Sequence, residues 1–206
     1  MEEAAQLSRR DRRRISTRAE ILDAARELLL EVGPEGLSLR QVARRADFSP
    51  AALYTYFPSK DSLIASLFAE SFERLDVCLR RVPGELSPDR RLVELGLAYM
   101  EFANDNPMDL RCMLVATSLD LPPSSGKALG LGAARLIGET FRQGVQEGVF
   151  RQDGLCTAPQ MAFGLWSLVQ GMVSLTGVDV SEVAADISAD PRLVLQMYVD
   201  LLKAPR

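Results

Sequence analysis

Histidine is absent from the 206-residue chain. That absence excludes Ser-His-Asp triads, imidazole acid–base catalysis and most zinc or non-haem iron sites. Cysteine is scarce: Cys78, Cys112 and Cys156 stand far apart with no CxxC pair. They read as small buried hydrophobes in a reducing cytosol, and a disulfide framework is not expected. The opening Met1-Glu2-Glu3 is acidic with no apolar run behind it, unlike a secretory signal, so the expectation is a cytoplasmic protein. Long hydrophobic runs are equally rare. Only Gly154 to Val178 lacks charge, and Pro159, Gln160, Ser167, Gln170, Ser174 and Thr176 dilute it. It reads as a helix buried in a core or a subunit interface rather than a membrane span. The charged pairs Glu101/Asp105 and Arg135/Glu139 are helical neighbours that look like solvated faces. No catalytic residue, metal or cofactor is expected.

What is present is a soluble composition, 47% hydrophobic and 25% charged, enough for one large or two small globular domains. The net charge of −4 is unevenly spread. Residues 1–60 carry 11 Lys+Arg against 9 Asp+Glu, and the remainder carries 13 against 19. Between Arg9 and Arg18, the six arginines Arg9, Arg10, Arg12, Arg13, Arg14 and Arg18 face the single acid Asp11. A basic arm over residues 1–16 on an acidic protein suits a local polyanion contact, or equally a disordered solubilising tail.

Cap signals recur before each apolar-periodic stretch. Thr17-Arg-Ala-Glu20 and Ser38-Leu-Arg-Gln41 are capping boxes. The first predicts a helix with the stripe Ile21, Ala25, Leu28, Leu29 and Val32, stopped by Gly33-Pro34. Ser49-Pro50, Ser87-Pro88, Asn106-Pro107 and Asp190-Pro191 place a cap before a proline at the first helical position. Ser59, Ser124 or Ser125, and the box Thr157-Ala-Pro-Gln160 open the others. No strand-type alternation competes. The fold class expected is all-α with about nine helices.

Leu39 to Phe57 holds two short helices joined by a three-residue turn, with Val42, Ala43, Ala46 and Leu53 where they must approach. This spacing fits a helix-turn-helix, whose second helix presents its N-terminal residues to base edges. The exposed positions of that helix would be Ser49, Ala51, Ala52, Thr55 and Tyr54 or Tyr56. Ordinary packing of two short helices is the alternative at this point.

The stretch Ser49-Pro-Ala-Ala-Leu-Tyr-Thr-Tyr-Phe-Pro-Ser-Lys-Asp-Ser-Leu63 resembles the signature of TetR-family transcriptional regulators. Residues 17–60 would then be a three-helix helix-turn-helix DNA-binding domain, and 61–206 a helical ligand-binding and dimerisation bundle. The resemblance places Tyr54 at the DNA, Tyr56 and Lys60 at phosphates, and Thr17, Ser38 and Arg40 near the backbone. Arg13, Arg14 and Arg18 would extend along the phosphates or into the minor groove. Two positions depart from the family pattern. Asp47 replaces the usual turn glycine, which aspartate tolerates with some strain, and Ala51-Ala52 replaces the frequent Gly-Thr, thinning base readout.

Trp166-Ser-Leu-Val-Gln-Gly171 resembles a pattern of the family's dimerisation helix, with Gln170 where histidine is frequent. The resemblance implies a small-molecule pocket, for which Met100, Asn104, Met113, Thr117, Phe141, Trp166 and Gln170 are the candidates. Their scarcity of charge favours an uncharged lipophilic effector, unless Arg111 or Arg135 turns inward. Symmetry argues for a homodimer reading a palindromic operator in double-stranded DNA. Phe163, Val194, Met197, Tyr198 and Leu201 would build its interface, or else fold back on their own subunit. The function expected is a ligand-released repressor. The alternative is a helical small-molecule-binding or scaffold protein without DNA binding.

Overall fold

The computed structural model describes residues 8–118, 127–153, 156–175 and 190–205, without the side chains of 116–118 and 127–131. The expected starts Ser124 and Ser125, and the side chain of Thr117, lie outside the described residues. Nine helices are present among those described: α1 (Arg9–Gly36), α2 (Leu39–Arg45), α3 (Pro50–Tyr54), α4 (Lys60–Leu79), α5 (Pro88–Asp105), α6 (Pro107–Ser118), α7 (Lys127–Gln146), α8 (Ala158–Leu175) and α9 (Pro191–Leu201). No described residue belongs to a strand beyond two isolated bridges, Phe150 with Lys203 and Asp153 with Cys156. No described helix is long and apolar enough to cross a membrane.

The first helix starts earlier than its sequence suggests. Its N-cap is Ser8, which forms a capping box with Asp11. Thr17 therefore lies inside the helix rather than at its start, and the flexible arm expected over 1–16 is helical from Arg9 onward. The break expected at Gly33-Pro34 is a kink inside α1, which resumes for a last turn to Gly36: φ at Gly33 is +70°, a left-handed conformation that glycine adopts without a Cβ penalty. Val32 turns out of the apolar stripe and is exposed. Asp47 takes φ 58°, the only positive φ at a non-glycine residue among those described. The strained turn read from the sequence is thus present.

The chain divides into two compact units. One comprises residues 1–71 and 108–128, the other 72–107 and 129–206. The expected boundary near residue 60 is displaced, because α6 joins the unit that contains α1 to α3. That unit's core holds Ile21, Leu22, Ala25, Val42, Ala43, Leu53, Phe57, Leu63 and Leu67, all essentially solvent-free. At 25 cal/mol per Å², each of these side chains larger than alanine stabilises by roughly 1.5–3 kcal/mol, before the opposing entropy of ordering it.

A polar cluster crosses the same unit. Arg26 Nη1 donates to Asp23 Oδ1 at 2.6 Å and Nη2 to Glu70 Oε2 at 2.8 Å. Its Nε lies 3.3 Å from Asp109 Oδ1, close enough for an ion pair but without hydrogen-bond geometry. Asp109, on α6, also accepts the Ser71 hydroxyl at 2.7 Å. Arg26 and Asp109 are both buried.

The second unit packs α5 against α8 and α9. Gly96 permits this, since a Cβ there would lie 2.9 Å from Leu195 Cδ1. Gly164 lets Tyr198 come close enough to donate its hydroxyl to Met161 O at 2.8 Å. Arg192 ties α9 to Glu94 of α5. Tyr99 donates to Gln170 Oε1 at 2.8 Å, joining α5 to α8.

Candidate nucleic-acid interface

The second short helix is anchored from below and open above. Leu53 and Phe57 are buried at 0% and 1% exposure, whereas Tyr54 is half exposed and Ala51 and Thr55 are exposed. Ser49 caps the helix, its Oγ accepting from Ala52 N at 3.1 Å. Pro50 follows at the first helical position, where its missing N–H leaves no orphan donor. Helix α2 begins the same way, with Ser38 Oγ accepting from Gln41 N at 3.3 Å. The two helices pack through Val42, Ala43 and Leu53, so α3 is held at a fixed orientation on α2.

Arg45 locks this pair to α1. Its guanidinium donates to both carboxylate oxygens of Glu31, at 2.9 and 2.6 Å, and lies within 3.4 Å of Glu27. The Arg45 hydrogen bond holds the Glu31 carboxyl below its usual range. A bidentate fork of this kind fixes direction as well as distance.

The remaining cations of α1, α2 and the start of α4 are differently employed. Among the described residues, no ion pair holds Arg9, Arg10, Arg12, Arg13, Arg14, Arg40 or Arg44, and all seven are exposed. Arg18 stacks its guanidinium over the Phe57 ring, 5.2 Å from the centroid. Lys60 donates to the Glu35 carbonyl at 3.2 Å, which places its ammonium at the C-terminal end of α1. Two of its three protons remain available for another acceptor.

The candidate residues therefore fall into distinct settings. Ser49, Ala51, Ala52, Tyr54 and Thr55 share α3 and its caps, with Tyr56 half-buried just beyond. Thr55 is exposed as expected, and its hydroxyl donates to Ala52 O at 2.6 Å. Arg13, Arg14, Thr17 and Arg18 lie along α1, and Ser38 and Arg40 at the head of α2. Arg44, in the last turn of α2, escaped the sequence reading, although its exposure and lack of an acid partner among the described residues match those of Arg40.

The other candidates are scattered. Met113 is buried in the first unit. In the second, Phe141 is a core residue packed on Phe150, Met100 and Gln170 are half-buried, and Asn104 is exposed. Trp166 lies with Phe163 along a groove of about 430 Å³ between α7 and α8, which also includes Ile137 and Arg142. Phe163, Met197 and Leu201 are each at least 66% exposed, whereas Val194 and Tyr198 are half-buried. No group of acidic or cysteine side chains suited to a metal ion occurs among the described residues.

This geometry has counterparts among known proteins. The family model described as bacterial regulatory proteins, tetR family, matches residues 21–67. Over 67 residues the chain is 45% identical to the HTH-type transcriptional repressor KstR of Rhodococcus jostii, 32% of each protein. The chain thus spans about a third of the length of the KstR repressors it matches. The fold extends further. A putative tetR family transcription regulator from Shewanella superposes with a TM-score of 0.74 at 19% identity, covering 92% of this chain and 99% of that one. AibR in complex with isovaleryl coenzyme A and operator DNA superposes at 0.68 and 18% identity, covering 92% of this chain and all of that one.

Proposed function

Because residues 21–67 match the model of the tetR family of bacterial regulatory proteins and 67 residues are 45% identical to a KstR repressor, we propose that the chain is a TetR-family transcriptional regulator, not an enzyme, and a DNA-binding repressor. In this reading it acts as a homodimer on a palindromic operator and is released by an uncharged lipophilic small molecule. The observation that carries the reading is the rigid outward presentation of α3. Its underside is sealed by Leu53 and Phe57, while Tyr54 and Ala51 are exposed, and exposed arginines lie on the neighbouring α1 and α2. Such an arrangement combines base-edge contact with phosphate neutralisation.

The exposed Phe163, Met197 and Leu201 on α8 and α9 support a dimer, since isolated chains seldom leave such apolar side chains bare together. Arg111 and Arg135 are both exposed, and Arg135 pairs with Glu139. Their outward placement favours an uncharged effector. AibR offers a precedent for a protein of this fold taking both a small molecule and operator DNA. Release would follow from a population shift: an effector that prefers a conformation unable to bind DNA weakens operator affinity by the coupling free energy, about 1–3 kcal/mol.

The test is an electrophoretic mobility shift on palindromes from the DNA flanking the gene. Saturable, salt-sensitive binding is expected. Lys60→Ala should weaken all sequences alike, whereas Tyr54→Ala should also alter the preference among them. Binding indifferent to both substitutions would defeat the assignment.

A further inference from the structure

Helices α2 and α3 are short, and few side chains hold them. Leu39, Val42 and Ala43 are buried from α2, and Leu53 alone from α3. Apolar burial is non-directional, and residues as small as valine and alanine do little to resist a roll of α2 about its own axis. Because α3 follows α2 after residues 46–49, it presents the same edge to a partner only while α2 keeps its roll. A directional contact is needed at the end of α2 nearest α3.

Arg45, the last residue of α2, occupies that place. Its two terminal nitrogens meet the two carboxylate oxygens of Glu31, and Nη1 also reaches Glu27 Oε2 at 3.4 Å. Two ordinary roles do not account for this arrangement. A phosphate contact is disfavoured, because one cation set against two carboxylates leaves the cluster negative. Stability is a weak reason too. The side chains of Arg45, Glu27 and Glu31 are 35%, 58% and 54% exposed, and ion pairs that wet contribute little. Glu27 and Glu31 also stand four apart on α1, where like charges repel. What the fork supplies is orientation: two parallel bonds align the guanidinium with the carboxylate, and so set the roll of α2 on α1. Arg44 makes the contrast, being exposed and held by no ion pair among the described residues.

We propose that Arg45, acting through Glu31, is a positioning residue for sequence recognition: it fixes the roll of α2, and with it the register in which α3 meets base edges, without touching DNA itself. The proposal rests on the DNA-binding reading above and adds to it a determinant of discrimination that lies outside the presented surface.

Two variants break the fork with opposite changes of charge, since Arg45→Met removes a cation and Glu31→Gln an anion. Each full chain selects from a duplex library with a randomised core of about 30 base pairs, enough for two half-sites one turn apart. The readout is the affinity for the most enriched duplex divided by the affinity for the unselected library. Both variants should lower this ratio by at least about fivefold, the low end of what one base-edge contact discriminates. Affinity for the unselected library should instead follow charge, falling for Arg45→Met and rising for Glu31→Gln. Arg45→Lys keeps the charge without the fork and should recover only part of the ratio. Melting temperatures should stay within about 4 °C of the unsubstituted chain, as for an exposed pair. A ratio that falls in Arg45→Met but holds or rises in Glu31→Gln overturns the positioning role in favour of direct DNA contact by Arg45. A ratio unchanged in both overturns it with DNA binding intact. A fall accompanied by a larger melting loss overturns it in favour of a purely structural role. If the unsubstituted chain retains no duplex at about 50 mM salt, the DNA-binding reading fails, and the positioning role with it.

Discussion

Replacing Arg26 by methionine should cost about 3 kcal/mol of stability, and the structure says where that cost arises. The guanidinium has three acidic neighbours of unequal weight. Asp23 is 66% exposed, so its share is screened and worth little. Glu70 retains partial access to water. Asp109 is 4% exposed at its side chain, and there the loss of a cation 3.3 Å away is felt in full. Removing one member of a buried pair typically costs 3–5 kcal/mol. The Ser71 hydroxyl still donates to Asp109 after the substitution, which argues for the lower end. For a chain of this size, 3 kcal/mol corresponds to roughly 6–12 °C in Tm. Urea unfolding followed by circular dichroism reads it directly. The double variant Arg26→Met/Asp109→Leu supplies the control, because replacing both partners by apolar groups is often close to neutral. The two substitutions should therefore couple by at least about 2 kcal/mol. An Arg26→Met variant within 1 kcal/mol of the unsubstituted chain, or additive effects in the double variant, would refute the reasoning.

Two further outcomes are expected. A Cβ at Gly164 would meet the Tyr198 hydroxyl that bonds Met161 O, so Gly164→Ala should lose about 1–3 kcal/mol in urea unfolding, and less in a Tyr198→Phe background. Burial pushes the Tyr99 hydroxyl up to about 12, so the folded state holds that proton more tightly than the unfolded chain, where the value is about 10. Its contribution is present below pH 10 and lost as pH rises from there through 12. Stability measured between pH 9 and 11.5 should fall, and Tyr99→Phe should flatten part of that fall.

Local chemistry made most of the helix starts legible. Ser38, Ser49, Ser59 and Asp190 each accept from a backbone N–H two or three residues on, as their side chains dictate. Asp47 was legible through the family resemblance, which sets a turn glycine at that place, and it takes the left-handed conformation such a glycine would. The start of α1 was not. Ser8–Asp11 and Thr17–Glu20 are competing boxes, and residues 9–16 show no apolar period to decide between them. Extending a helix that already exists needs no new nucleus, so the earlier box prevails. The domain boundary was hidden for another reason. What carries α6 into the first unit includes an ion pair between Arg26 and Asp109, 83 residues apart, and apolar patterning is blind to it. The bond from the Thr55 hydroxyl to its own helix was not legible, because propensity cannot tell a solvent-facing oxygen from one bonded locally.

The brevity of α3 has a consequence of its own. Five residues, Pro50 to Tyr54, advance about 7.5 Å, little more than two steps of a double helix. A message that short recurs thousands of times in any bacterial chromosome. On the DNA-binding reading proposed above, the address would therefore be spelled by more than one such word, and the spacing between words would carry as much information as their letters.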